Sequence, residues 1–464
     1  MFAAFNDTAK LIPHCFVGLR GFIFFFLFLA SGSLSATPWL APDDAYLRSD
    51  LQVLADAGLI HTPISTYPIR WSRIDGDLQN IDVSQLPLSL QQSYAHVTYA
   101  LQSALMDRGN KRFKVAYSKS PRNDSSFAAT MTQKWQGQSS YEMTGSSYAF
   151  RVAANYQRSP DKFGHEKNDY SLDDSYLALT AGNLSLSAGT IQRWWGPTWV
   201  YNLAWGHTRQ TIPGLDLAYD AYSWPVIGSW HIESFIGSDK TMNSNRKQWS
   251  SRLEFSPASW LTIGLGYQKW FKKSGVMGYV TGTYQSLSRQ QEQYNGDIRL
   301  SLPDFELGSS TVTQSIYGQV ASLVNDRSFG SAVLGWQSQF NIANQYLRLI
   351  AEVKHLTTDA KQQWQSGLSN RAVMAALHHN LAINNSDVGQ AKTVKVLWVT
   401  PSDWELTLQG QRYDDAVNQT KNKLTGSINL PIANSRLILG SDYQPDATGG
   451  EDQWNYWGVW DLRF

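Results

Sequence analysis

The densest group of chemically capable side chains lies between Gly189 and Tyr219, where the sequence reads GTIQRWWGPTWVYNLAWGHTRQTIPGLDLAY. Arg193 stands beside two indoles, Trp194 and Trp195. Gly196-Pro197 then forces a turn, and Trp199, Tyr201 and Trp205 follow. Flat apolar rings with N–H or O–H groups at their edges suit the faces and hydroxyls of pyranose sugars. A Gly-Pro turn projects such rings from a fixed backbone. The same rings equally suit an interfacial belt, or an in-folded loop packed against a wall.

Other patterns that could carry chemistry fall short. His165-Glu166 opens like a zincin motif, but Asp169 stands where the second His is needed. Asp75, Asp77, Asn80 and Asp82 lack the Gly and the distal Glu of a calcium loop and read as a polar loop. His378-His379 sits in a stretch between Thr357 and Gln390 without strand alternation, which reads as a loop or plug element more than a metal pair. No G-x-S-x-G elbow occurs. The expectation is a non-enzymatic chain with no cofactor and no metal.

The elements that must position these residues belong to an unusual composition. In 464 residues, 17% are charged and 13% aromatic, with 19 Trp, 22 Tyr and 19 Phe. Soluble globular proteins carry roughly 25% charge. The net charge of +1 provides no field for a nucleic acid, so none is expected as a partner. Mean hydropathy of −0.34 is too polar for a helical membrane protein. The single cysteine, Cys15, excludes a disulfide framework and a thiolate zinc site.

The long apolar run, LRGFIFFFLFLA from Leu19 to Ala30, is about a dozen residues, short of the roughly twenty of a spanning helix. Lys10 and Arg20 precede or open it and SGSLSA follows, the order of a secretory signal peptide over 1–36 with cleavage after Ala36. A retained membrane anchor is the alternative.

A helical region follows over 37–110. Asp43 and Asp44 can cap a helix carrying Leu47, Leu51 and Leu54 on one face and ending at Gly58. A second helix is predicted from about Ser89 to Arg108, with Leu90, Tyr94, Val97, Leu101 and Leu105 at helical spacing. Between them Pro63, Pro68 and Trp71–Asp75 read as loop.

From 111 to 464 the period is two. Tyr148, Phe150 and Val152 oppose Ser147 and Arg151. Trp249, Leu253 and Phe255 oppose Ser250, Arg252 and Glu254. Leu347, Leu349 and Val353 oppose Arg348, Glu352 and Lys354. A soluble sandwich would turn the apolar faces inward, whereas a membrane barrel turns them to lipid. The stretch holds about 16 to 18 strands of roughly ten residues, too many for one open soluble sheet, and no linker divides it. Trp230, Trp260, Trp270, Trp404 and Tyr413 are expected in the interfacial girdles. Arg151, Arg252, Arg299 and Arg348 are expected to point inward and form ladders with Glu254 and Glu352, or to line a selectivity filter. The chain ends NYWGVWDLRF, with Tyr456, Gly458, Trp460, Leu462 and Phe464 on one face. A terminal Phe with alternating apolar residues resembles the signal by which bacterial outer-membrane barrels are recognised by their assembly machinery. The localisation predicted is the outer membrane of a Gram-negative bacterium.

The segment around Arg193-Trp194-Trp195-Gly196-Pro197 resembles the hallmark of the capsule-assembly Wzi family. So do Pro38-Trp39, Leu47-Arg48, Asp50-Leu51, Leu54-Ala55-Asp56-Ala57-Gly58 and Pro68-Ile69-Arg70-Trp71. The resemblance implies a mainly β fold, a transmembrane antiparallel β-barrel of about 18 strands with a small N-terminal α-helical bundle at the periplasmic end. It also implies a lectin-like function, holding or organising capsular or extracellular polysaccharide at the cell surface. Arg193, Trp194, Trp195, Trp199, His207 and Arg209 are then the candidate polysaccharide-binding residues. In the family an Asn-containing polar run follows the motif; here that place reads Gly206-His207-Thr208-Arg209, a departure that bears on which polymer is bound. The expected partners are polysaccharide, outer-membrane lipid and lipopolysaccharide, and the barrel-assembly machinery, with the chain a monomer. A pore for small solutes or oligosaccharides is the alternative, and a barrel hydrolase with candidates such as His207 is a third.

Overall fold

Alternation of apolar and polar side chains over some eighteen segments closes into a ring in the computed structural model. It describes residues 39–464 except 107–108, 121, 123, 125, 130–133, 146, 161–165, 207–211, 240–245, 273–290, 308–309, 324–325, 343–344, 361–389, 415–419 and 446–450. The predicted signal peptide, His165, His207, Arg209 and His378-His379 lie outside the described residues.

The N-terminal part comprises β1 (Trp39–Leu40), α1 (Ala45–Asp56), β2 (Thr66–Tyr67), β3 (Ile69–Arg70), α2 (Trp71–Leu78) and α3 (Leu88–Ala104). The wall begins with β4 (Asn110–Ser118), β5 (Trp135–Thr144), β6 (Tyr148–Pro160), β7 (Glu166–Ser171), β8 (Tyr176–Ala181) and β9 (Leu184–Thr190). A two-residue strand, β10 (Trp194–Trp195), leaves the wall. The wall resumes with β11 (Pro213–Trp224), β12 (Gly228–Asp239), β13 (Arg246–Ala258), β14 (Leu261–Lys272), β15 (Gln291–Leu307), β16 (Ser310–Ser322) and β17 (Phe329–Ile342). It ends with β18 (Gln345–Leu356), β19 (Ala391–Val399), β20 (Glu405–Asp414), β21 (Thr420–Ile432), β22 (Ser435–Gln444) and β23 (Gln453–Arg463).

All wall pairings are antiparallel and between neighbours. Strands β7 and β8 lie end to end against β6, at Asn155–Pro160 and Tyr148–Arg151, so the pair forms one stave and the ring has eighteen. β23 pairs with β4 to close it, and Lys111 and Phe464 exchange backbone hydrogen bonds of 3.2 and 3.1 Å at the seam. Short turns join β8 to β9, β11 to β12, β13 to β14 and β21 to β22 at one end, with longer connections at the other. In outer-membrane barrels the short-turn end is periplasmic.

The outward faces are apolar and bare: Val152, Leu177, Leu215, Leu265, Leu334 and Val394 are all exposed. Such a surface is stable against lipid and costly in water. No helix among the described residues is long and apolar enough to cross a membrane. Trp260 and Trp404 sit exposed at the short turns, as a girdle requires, and Trp230 packs on Tyr219 and Trp224 beside one. Trp270 and Tyr413 are buried instead. Parity explains the difference. Trp270 shares the lumenal face of Gln268, and Tyr413 that of Glu405 and Gln409.

The N-terminal helices form as their caps dictate, with one addition. Asp44 accepts hydrogen bonds from the N–H groups of Tyr46 (3.0 Å) and Leu47 (2.9 Å) at the start of α1, and Gly58 follows its end at φ +72°. α3 stops at Ala104, about a turn earlier than expected, with Leu105 as its cap. Trp71–Asp75, expected as loop, lies in helix α2: Trp71, Ile74 and Leu78 are spaced for one face and all are buried. The apolar faces of the three helices meet in one core that also takes in Phe127 and Trp194.

Candidate functional site

Strand β9 is only seven residues long, and its partner β11 starts at Pro213, paired with Thr190. The described residues 191–206 between them turn into the lumen. There β10 pairs with β2 of the helical part, Trp194 opposite Tyr67 and Trp195 opposite Thr66, and Trp195 bridges back to Trp205. Gly196 makes the turn at φ +132°, where a Cβ would lie 2.5 Å from Gln319 Nε2.

Each described candidate in this segment is enclosed. Arg193 is 2% exposed and pairs with Asp216 and, at 3.0 Å, with Glu233, while its guanidinium lies 4.2 Å from the Phe235 ring centroid. Trp194 is fully buried and donates its indole N–H to the carbonyls of Gly196 (3.1 Å) and Thr198 (3.0 Å). Trp195 packs on Trp205, which in turn meets Phe235 edge-on. Trp199 donates its indole N–H to Gln337 Oε1 at 2.6 Å. The structure thus brings Arg193, Trp194, Trp195 and Trp199 together inside the barrel, sealed from solvent.

Several residues that hold this segment carry no motif of their own. Glu352 of β18 accepts three consecutive backbone N–H groups, from Trp199 (2.5 Å), Val200 (3.0 Å) and Tyr201 (3.0 Å), plus the Tyr317 hydroxyl at 2.8 Å. Gln319 accepts from Leu203 N (2.8 Å) and donates to Trp195 O (2.9 Å). Arg48 of α1 donates to the carbonyls of Thr198 (2.9 Å) and Pro197 (2.8 Å) and lies 4.2 Å from the ring centroids of both Phe127 and Trp199. Burial pulls the Arg48 guanidinium down to about 10, so it stays charged at neutral pH. Phe127 donates its N–H to Trp199 O at 2.8 Å. Arg48, Arg70 and Trp71, members of the motifs read in the sequence, dock the helical part.

The inward arginines point as expected but choose other partners. Arg252 forks onto Asp297 at 2.8 and 3.0 Å and donates to Thr66 Oγ1. Arg299 pairs with Asp56, and Arg348 donates to Ser49 Oγ at 2.5 Å and its carbonyl at 2.9 Å. Arg151 pairs with Glu142, and Glu254 accepts from Ser65 N at 2.9 Å. Glu352 is spent on backbone. Most of these groups therefore tie filling to wall, where ladders within the wall had been expected. Arg70 and Arg73 add a further tie by converging on Asp220, which also meets His231 Nδ1 at 2.6 Å.

The described residues of 122–129 and 191–206, with Ser49, Asp56 and Ser65 of the helical part, meet lumen-facing side chains of the wall. Among the described residues no group of three or more His, Cys, Asp or Glu could hold a metal ion. In β23, Tyr456, Trp460 and Phe464 are exposed outward with Leu462 half-buried on the same face.

Comparison with known proteins bears on both fold and site. Residues 105–292, which contain the aromatic segment, match the model of the capsule assembly protein Wzi family. Among solved structures the chain resembles Wzi of Escherichia coli, described as an outer-membrane protein involved in group 1 capsule assembly and a carbohydrate-binding β-barrel. The TM-score is 0.72 at 18% identity, covering 93% of this chain and 100% of that one. OccK8 of Pseudomonas aeruginosa and OccAB4 of Acinetobacter baumannii are more distant, with TM-scores of 0.45 and 0.46 at 9% identity, each covering 77% of this chain and 97% and 98% of theirs. No curated protein matches the chain by sequence.

Proposed function

We propose, from the match of residues 105–292 to the capsule assembly protein Wzi family model and the likeness in fold to Wzi, an outer-membrane barrel that binds and organises capsular or extracellular polysaccharide at the cell surface without catalysing a reaction. The observation that supports this best is the filling of the lumen by three chain segments pinned to the wall by buried ion pairs and by Glu352. A polymer has no route through such a barrel and meets it from outside. The filling argues likewise against the pore for oligosaccharides.

In this reading Arg193, Trp194, Trp195 and Trp199 serve polysaccharide binding by fixing the segment that carries His207 and Arg209, which are the candidates for direct contact. Tyr456, Trp460, Leu462 and Phe464 serve as the assembly signal, and lipid, lipopolysaccharide and the assembly machinery are the other partners of a monomer delivered by the 1–36 signal peptide. The test is the partition of polysaccharide between cells and medium in a strain lacking the protein and in its complemented counterpart. Polymer that is still made but shed into the medium is the expected result. Unchanged partition would refute surface retention.

A further inference from the structure

One cross-strand pair on the outside of the wall carries two charges of the same sign. Lys392 of β19 and Arg412 of β20 stand directly opposite each other. Their chain neighbours Thr393 and Tyr413 are buried on the lumenal side, where Thr393 meets the Tyr201 hydroxyl. Parity therefore turns both cations outward, and both are exposed. Like charges directly opposite each other destabilise an antiparallel pair. Neither side chain has an ion pair or a hydrogen bond among the described residues. Asp414, the next outward residue of β20, accepts the Thr420 hydroxyl at 3.1 Å instead. Exposed His355 of β18 extends the basic face, since it lies just beyond Val353, the partner of Lys392. On the other side Arg412 faces exposed Asn422 of β21, a further hydrogen-bond donor.

The height of the pair on the wall narrows what can meet it. From Trp404 of the short-turn girdle to Arg412 the rise is about 27 Å along the strand, or about 21 Å along the barrel axis at the usual tilt. That is the outer rim of the roughly 25 Å apolar band of such barrels. Next to the cations, toward the short turns, the same face is bare hydrocarbon: Val394, Leu408 and Leu424 are 52%, 54% and 54% exposed. A ligand that suits the whole surface is anionic where it meets Lys392 and Arg412 and apolar underneath. An acidic polymer supplies only the first half. A phosphorylated lipid of the outer leaflet supplies both, and a guanidinium can take two phosphate oxygens at once.

We propose that Lys392 and Arg412, flanked by His355 and Asn422, form a binding site for a phosphate of lipopolysaccharide on the outer face of β18 to β21. The site rests on the reading of the chain as an outer-membrane barrel with lipopolysaccharide as a partner. Polysaccharide retention is measured on cells and this site on purified protein, so either can fail without the other.

The test titrates the full protein in non-ionic detergent with lipid A carrying its phosphates and with lipid A stripped of them. The phosphorylated form is expected to bind about tenfold tighter or more. Lys392→Gln and Arg412→Gln together should abolish that preference, while the folded band in heat-modifiability gels persists because both side chains point away from the core. Thermal unfolding gives a second readout. In lipid-free detergent Lys392→Gln alone relieves the repulsion and raises the unfolding temperature, and saturating phosphorylated lipid A reverses that order. Equal affinity for the two forms of lipid A overturns the proposal, as does a preference that survives the double substitution. So does tighter binding of the acidic polysaccharide alginate, lost in the same double variant, which would assign the cations to polymer.

Discussion

The carboxylate of Glu352 receives the backbone N–H of Trp199 at 2.5 Å, and the next two N–H groups of the in-folded segment turn onto the same side chain. One wall residue thus satisfies three donors that would otherwise be stranded in a buried, largely apolar site, where an orphaned donor costs about 1–3 kcal/mol.

Glu352→Ala is therefore expected to destabilise the protein by about 3 kcal/mol or more, and Glu352→Gln, which retains one acceptor oxygen, by about half as much. Thermal unfolding in detergent measures both. Equal loss in the two variants would show that charge, rather than acceptor count, is what matters.

Gly196→Ala should cost about 1–3 kcal/mol. The backbone there is at φ +132° and the new methyl would press on Gln319, whose amide is already engaged with Trp195 and Leu203. A stability within experimental error of the unaltered protein would mean that the Gln319 side chain moves aside freely.

Trp194→Ala and Trp195→Ala each remove a buried indole, a loss of about 3–5 kcal/mol of packing, yet neither ring takes part in wall pairing. The expected outcome is a barrel whose folded band survives in heat-modifiability gels, with new protease cuts between 191 and 206 and reduced polysaccharide retention. Disappearance of the folded band would show that wall and filling fold as one unit.

His96 on α3 lies 2.5 Å from Asp50 on α1. Burial opposes its charge, but the hydrogen bond and the field of Asp50 outweigh that and hold the imidazole up at about 9. A folded value above the unfolded one, about 6.5, stabilises the charged form. The contribution is complete below about 6.5 and disappears as pH rises through about 9. The difference in unfolding temperature between the unaltered protein and His96→Gln should be largest near pH 6 and gone by pH 10. A difference independent of pH would remove the ion pair from the account.

The barrel was legible because alternation is a local property: parity alone set Leu253 outward and Arg252 inward. The same parity, followed to the ends of β14 and β20, would have put Trp270 and Tyr413 in the lumen. Helix α2 was hidden by Asp75 and Gly76 at its centre, although Trp71, Ile74 and Leu78 carried its spacing. The aromatic segment stood out, but its burial did not. Two adjacent Trp residues cannot both face inward on a strand of the wall, so enclosure of both required the chain to leave the wall, which follows from where β9 stops. Ion-pair partners were least legible. Arg252 finds Asp297, Arg299 finds Asp56 and Arg193 finds Asp216 and Glu233 only through strand register and the docking of a distant segment.

The seam between β4 and β23 carries a consequence for how the object is made. The ring becomes a ring only when residues 457–463 pair with 112–118. All three segments that fill the interior precede that last strand in synthesis, and so do most of the wall residues that hold them, from Arg112 to Asp442, with Trp457 against Arg122 the exception. The contents and most of their fastenings therefore exist before the vessel is shut. Phe464, exchanging backbone hydrogen bonds with Lys111, extends that closing seam by one residue pair.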